Sequence, residues 1–233
     1  FLVMIKSGKE HLEQINDGRT IFVGDEEIKN VTTHPAFKRA AATVAQLYDL
    51  KHQSEFKDDL SYEENGERYS TWFIQAKNKD DLRKRSKAHK IIADHTSGMM
   101  GRSMDHVASF VTGMSTSPEI FDNNNYKFSD NLINYYKYMK KNDIFASYAV
   151  VPPQAARNPE FYEKRNLPIP TLTVVDETDK GVIISGMKML ATSAVFANEI
   201  WIGNLIPLAP DQVKQSITCS IPCNSKGLKL WMR

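Results

Sequence analysis

The chain has 233 residues, room for one large domain or two small ones. Hydrophobic residues make up 41% and charged residues 25%, a globular balance able to bury a core. The net charge of +2, from 30 basic and 28 acidic residues, gives no electrostatic ground for a nucleic-acid or anionic-membrane partner.

Two cysteines, Cys219 and Cys223, are too few for a disulfide scaffold and favour a reducing compartment. The start, "FLVMI", is too short for a secretory signal. No run approaches the roughly 20 apolar residues that cross a bilayer. A cytoplasmic location is therefore expected.

In chain order, "SGKEHLEQINDG" opens with a capping box from Ser7 to Glu10, and Gly18 can close the helix. "TIFVGDEEIKNV" predicts a hairpin turning at Gly24-Asp25. "TTHPAFKRAAATVAQLYDLKHQ" predicts a helix with Pro35 in its first turn and Phe37, Ala40, Ala41, Val44, Leu47 and Tyr48 on one face. Residues 51–69 are polar and read as loop.

From Asn78 or Asp80 a long helical stretch carries Leu82, His89, Ile92, Thr96, Met99, Ser103, Val107, Phe110 and Met114 at helical spacing, interrupted by Gly98, Gly101 and Gly113. "DNNNYKF" is a loop, and a further helix starts at Ser129 or Asp130. After Asn142 the period drops towards two. The stretches "FASYAVVPP", "TLTVVDETDKGVIISGMKML", "NEIWIGNLIPL", "SITCSIPC" and "GLKLWMR" predict strands, with Gly181 free to take positive φ in a hairpin loop. The expected division is a helical domain with a small hairpin at 1–141 and an antiparallel β domain at 142–233, an α+β chain.

Three stretches carry candidate chemistry. In "MMGRSMDH", Arg102 and His106 are four apart, which puts them on one face of the expected helix. The ordinary reading is a surface pair with Arg102 answered by Asp105. The functional reading is a cationic donor beside a titratable group at a pocket wall, with the glycines allowing close approach. In "SYAVVPPQAAR", Tyr148 runs into two prolines that free Gln154 and Arg157 from the sheet, or else Arg157 is simply solvated. In "SGMKMLATSA", Lys188, Thr192 and Ser193 end a strand. There is no GxGxxG, P-loop, HExxH or CxxC pair, and no histidine follows His106, so no metal site is expected.

Taken in order, five stretches resemble the oxygenase component of 4-hydroxyphenylacetate 3-monooxygenase and its relatives. They are the opening "SGKEHLEQINDGRTIFVGDEEIKNVTTHPAFKRAAATVAQLYDL", "GRSMD" for the family's "GRSPD", "YAVVPPQAAR" for its His-Ala-x-x-x-Pro-Gln-x-x-Arg, "GVIISGMKMLATSA" and "IPCNSKGLKL". The resemblance implies an acyl-CoA-dehydrogenase-like architecture, with a C-terminal helical bundle missing from this chain. It also implies a tetrameric full-length enzyme that takes reduced FAD from a separate reductase and uses O₂ to hydroxylate a phenol ortho to its hydroxyl. Arg102 matches the family arginine at the substrate phenol. His106 falls where these hydroxylases have tyrosine, and Tyr148 where they have histidine, at the substrate and the flavin. Gln154, Arg157 and Thr192 match flavin-contacting positions. Met104 and Ala156 replace the family's proline and aspartate. The related 4-hydroxybutyryl-CoA dehydratase needs cluster-binding cysteines around 99–106, where this chain has Met99, Met100 and Ser103. A paralogue or fragment without activity is the third reading.

Overall fold

The computed structural model of the chain describes residues 4–205 and 207–232. Phe1, Leu2 and Val3 of the apolar start, Ile206 and Arg233 lie outside the described residues. The chain divides into two units: Phe1–Ser147 with Ser193–Glu199 and Pro222–Arg233, and Tyr148–Thr192 with Ile200–Ile221.

The first unit opens with helix α1 (Gly8–Gln14), whose Ser7–Glu10 capping box is present in both directions. Hairpin β1 (Thr20–Val23) and β2 (Glu26–Ile28) turns at Gly24, with φ +58°. Helix α2 (Lys38–Leu50) begins three residues after Pro35, so the proline sits in the preceding turn rather than in the helix. Its buried face is Ala41, Val44, Ala45, Leu47, Tyr48 and Leu50, while Ala40 is exposed. α1 lies close against α2: a Cβ on Gly8 would stand 2.4 Å from the Ala45 carbonyl oxygen, so only glycine fits there.

Residues 51–69 are not a loop. They hold a short helix α3 (Lys57–Leu60) and the hairpin β3 (Ser61–Glu64) and β4 (Glu67–Ser70). The turn is Asn65-Gly66, both at positive φ (54° and 80°), the two-residue connection that matches strand twist. Helices α4 (Lys79–His95), α5 (Asp105–Met114) and α6 (Phe128–Asn142) follow. The side chain of Asn78 caps α4 by accepting from the N–H groups of Asp80 and Asp81.

Strands β5 (Ala146–Ala149), β8 (Glu199–Ile202) and β9 (Cys219–Pro222) form a sheet in the order β5-β8-β9. The last strand, β10 (Lys229–Met232), joins the first unit beside β1. It pairs in parallel, and Phe22 stacks on Trp231 across the register at 4.9 Å. The expectation of an antiparallel β domain through residue 233 therefore does not hold for the last strand. Parallel neighbours need a long connection, and here nearly the whole chain supplies it. Nor does one boundary after residue 141 describe the observed units, since 193–199 and 222–233 return to the first.

The second unit holds a one-turn 3₁₀ segment (Gln154–Arg157), helix α7 (Pro159–Glu163) and the antiparallel hairpin β6 (Thr173–Thr178) and β7 (Gly181–Ser185), bulged between Val174 and Asp176. Gly181 takes the expected positive φ, +134°, but as the first residue of β7 rather than in the hairpin loop. Gly186 in "SGMKML" is at φ +126°, and a Cβ there would fall 2.0 Å from the Thr171 carbonyl oxygen. Among the described residues no helix is long and apolar enough to cross a membrane.

Candidate functional site

The long helix expected through residue 114 breaks at Thr96. Ser97 and Gly98 take positive φ (50° and 73°), and the N–H of Gly98 bonds to the carbonyl of Ala93 at 2.8 Å while that of Ser97 bonds to Asp94 at 3.2 Å. This is a double closure of a helix C-terminus. Arg102 therefore lies in a turn, not on a helix face, and His106 lies in the first turn of α5. Arg102 is exposed and His106 half-buried, while Ser103 and Met104 between them are buried. Met104 has φ −58°, a value proline also takes.

The surface-pair reading of Arg102 fails on its partner. Asp105 accepts hydrogen bonds from His89 Nδ1 and Ser103 Oγ. Burial alone would raise the Asp105 carboxyl. The bonds from His89 and Ser103, with the His89 charge, hold it below the usual carboxylate range. An ionised carboxylate only accepts, so His89 Nδ1 donates.

Burial first, and the Arg102 guanidinium second, push His106 below the ordinary histidine range against the pull of Asp105. The His106 ring meets Phe110 edge-on at 5.9 Å. A cleft of about 390 Å³ in this unit is lined by His89, Met100, Gly101, Asp105 and His106, among others. His89 escaped sequence reading as a site residue. It sits 16 positions from Asp105, and its spacing put it on an apolar stripe, whereas its side chain is 39% exposed.

In the second unit Tyr148 is half-buried on β5. Gln154 and Arg157 share the 3₁₀ turn after Pro152-Pro153, and both are exposed. Thr192 is exposed next to Ser193, which is left-handed at φ +64°. A cleft of about 230 Å³ is lined by Val150, Arg157, Thr171, Lys188 and Gln212, among others. Lys188 is occupied structurally: its Nζ donates to Asn204 Oδ1 at 2.8 Å and to the carbonyls of Gly203 and Val150 at 3.0 and 3.4 Å. The sequence thus brings Arg102 and His106 to one turn, and Gln154 and Arg157 to another. Tyr148 belongs to a different unit from Arg102 and His106. The cysteines are free thiols, Cys223 buried and pushed up to about 12, Cys219 half-buried.

Residues 7–233 match the family described as "4-hydroxyphenylacetate 3-hydroxylase N terminal". The oxygenase component of 4-hydroxyphenylacetate 3-monooxygenase from Thermus thermophilus is 32% identical over 97% of this chain and 46% of its own length. The FADH(2)-dependent monooxygenase TftD of Burkholderia cepacia is 32% identical over 98% of this chain and 45% of its own. The 4-nitrophenol 2-monooxygenase oxygenase component of a Rhodococcus is 31% identical over 97% and 43%. A crystal structure of the oxygenase component HpaB complexed with FAD and 4-hydroxyphenylacetate superposes with TM-score 0.88 at 32% identity, covering 98% of this chain and 47% of that one. An oxygen-tolerant archaeal 4-hydroxybutyryl-CoA dehydratase shares the fold alone, with TM-score 0.79 at 21% identity. The chain spans about half the length of the curated relatives it matches. It belongs to the 4-hydroxyphenylacetate 3-hydroxylase family and corresponds to that family's N-terminal region.

Proposed function

We propose that the protein is the oxygenase component of a two-component, reduced-FAD-dependent monooxygenase that hydroxylates a phenol such as 4-hydroxyphenylacetate ortho to its hydroxyl. The observation that carries this is the turn at 101–106. Its half-buried imidazole, His106, lines a 390 Å³ cleft together with Gly101, Ser103 and Asp105, and the exposed Arg102 follows Gly101 in the same turn, in a chain of this family. Aromatic hydroxylation by an electrophilic oxygen needs an electron-rich ring. Arg102 stabilises the developing phenolate oxygen, and His106, whose pKa burial and then Arg102 lower, accepts the phenolic proton. Tyr148 supplies a hydroxyl that can both donate and accept, and it takes the role of the family's histidine.

The residues at the flavin-contacting positions fit the cofactor by chemistry. Gln154, Arg157 and Thr192 are exposed N–H and O–H donors, suited to the acceptor-rich edge and phosphates of FAD. Bound reduced FAD supplies the electrons that activate O₂. The names of relatives that are oxygenase components support a separate reductase as partner. The acyl-CoA-dehydrogenase-like class, with a helical bundle and oligomer contacts in the full-length protein and a cytoplasmic location, belongs to the same proposal. The likeness to the HpaB structure, with TM-score 0.88 at 32% identity, supports the fold class. The dehydratase alternative gains nothing from the cleft, where Met100 and Ser103 stand in place of metal-binding cysteines.

The test supplies the native protein with reduced FAD, O₂ and a panel of phenols. Formation of the ortho-dihydroxy product, with no NAD(P)H oxidation unless a reductase is added, is expected. Flavin reoxidation that yields only hydrogen peroxide with every phenol would overturn the proposal.

A further inference from the structure

One carboxylate ties three pieces of backbone together beside Arg102. Asp105, the first residue of α5, accepts from His89 on α4 and from Ser103 in the turn. Its side chain is 13% exposed, and Ser103 and Met104, which precede it in the chain, are 2% and 1% exposed. The carboxylate also sits at the N-terminus of a ten-residue helix, where the backbone N–H groups favour negative charge. Among the described residues Arg102 shows no comparable anchor of its own. It is exposed, and its place is set by the turn it sits in. His89 lies 16 residues from Asp105 and lines the same cleft as His106, so the contact is tertiary rather than a local helix pair.

We propose that His89 and Asp105 are positioning residues that lock the 101–104 turn, so that Arg102 and His106 are presented to the phenolic substrate in one fixed arrangement. This rests on the functional reading above. The lock requires a donor at the His89 Nδ1 position and a charged acceptor at 105. It does not require His89 to titrate or to exchange protons with substrate. Asparagine places an N–H donor at nearly the same point from the backbone as histidine Nδ1, whereas alanine places none. The proposal therefore separates His89→Asn from His89→Ala, a distinction that neither a catalytic base at Nε2 nor simple packing would make.

The test uses the native protein and two readouts. Amide hydrogen exchange over 99–106 reports the lock without any ligand. Equilibrium binding of 4-hydroxyphenylacetate reports its consequence. In His89→Ala and Asp105→Asn, exchange of the turn should accelerate at least about tenfold, since the turn opens locally. Binding of 4-hydroxyphenylacetate should weaken by roughly 10- to 100-fold, the scale of an ångström-sized displacement of a binding group. His89→Asn should restore both to near the unmodified values. Unchanged exchange in His89→Ala overturns the lock. Faster exchange with unchanged binding overturns its role in positioning. Failure of His89→Asn to restore either overturns the donor argument. Absence of 4-hydroxyphenylacetate binding by the unmodified protein overturns instead the functional reading on which the inference rests, and the exchange data then show separately whether the lock exists.

Discussion

The first unit contains two clusters built from the same parts, a cation, a carboxylate and a serine, in opposite settings. In the core, Lys51 pairs with Asp143, Ser70 donates to Asp143 Oδ1 at 2.6 Å, and the Lys51 and Asp143 side chains are 0% and 2% exposed. Lys51 Nζ also lies 4.1 Å from the Tyr48 ring centroid and 5.0 Å from that of Trp72. Asp143, left-handed at φ 47°, closes α6 and accepts a further bond from the Lys6 N–H. At the cleft, His89 and Asp105 are 39% and 13% exposed, and Arg102 reaches solvent. The sealed cluster uses its charges on itself, whereas beside the open one the Arg102 guanidinium reaches solvent and the His106 imidazole is half-buried. On the proposed function, similar composition serves structure in one place and binding in the other, and burial separates the two.

The sharpest way to break this contrast is to remove one partner of the sealed pair. Lys51→Met leaves Asp143 buried without its cation and should cost about 3–5 kcal/mol. Urea unfolding of Lys51→Met, and of Lys51→Met with Asp143→Asn, measures it. The double variant should recover much of the loss, because no uncompensated charge remains. A single variant as stable as the unmodified chain would remove the sealed cluster from the account.

Next in size is His106→Ala, which should lower the hydroxylation rate by on the order of 100-fold, about 2.7 kcal/mol. It should also abolish the acid limb of the pH–rate profile. That limb should lie below the ordinary histidine range in the unmodified enzyme, because burial and then Arg102 lower His106. A profile unchanged by the substitution would return His106 to a packing role against Phe110.

An effect spread over several pH units concerns Lys6, whose Nζ is held by Gln14 and Asn198 at 2.9 Å each and which burial lowers to about 7. Between that value and the unfolded-chain value near 10.5, the unfolded chain holds a proton that the folded chain has lost, so stability rises with pH there. Below about 7 the folded chain carries the buried charge and bears its full cost. Relative to Lys6→Met, the unmodified chain should therefore gain up to roughly 1 kcal/mol per pH unit from pH 7 to 10. Parallel stability curves for the two chains would show that Lys6 stays charged.

What could be seen in the sequence was local. The Ser7–Glu10 box, the Gly24 turn, the Asn78 cap and the face of α2 each follow from residues within a few positions of one another. The hairpin at 61–70 carried an equally local signal in Asn65-Gly66, hidden by the charged run around it. The break after Thr96 was obscured because apolar spacing continues across a gap of irregular backbone, and only the positive φ of Ser97 and Gly98 reveals it. The pairing of β10 with β1, the burial of Lys51 and the bond from His89 to Asp105 depend on partners far along the chain, which periodicity does not report. At the candidate site, Arg102 and His106 were legible through resemblance to a family motif, but their helix-face geometry was not.

The measurement that bears most directly on the open cluster is 4-hydroxyphenylacetate affinity of the native protein and of Arg102→Ala, with unfolding free energy measured alongside. Arg102 is exposed, so stability should change by less than about 0.5 kcal/mol. Affinity should fall by roughly 10- to 100-fold, the loss of one charge-assisted hydrogen bond to the phenolic oxygen, about 1.5–3 kcal/mol. Equal affinity of the two proteins at equal stability would contradict the assignment of Arg102 to the substrate, and with it the claim that the turn at 101–106 is the functional site.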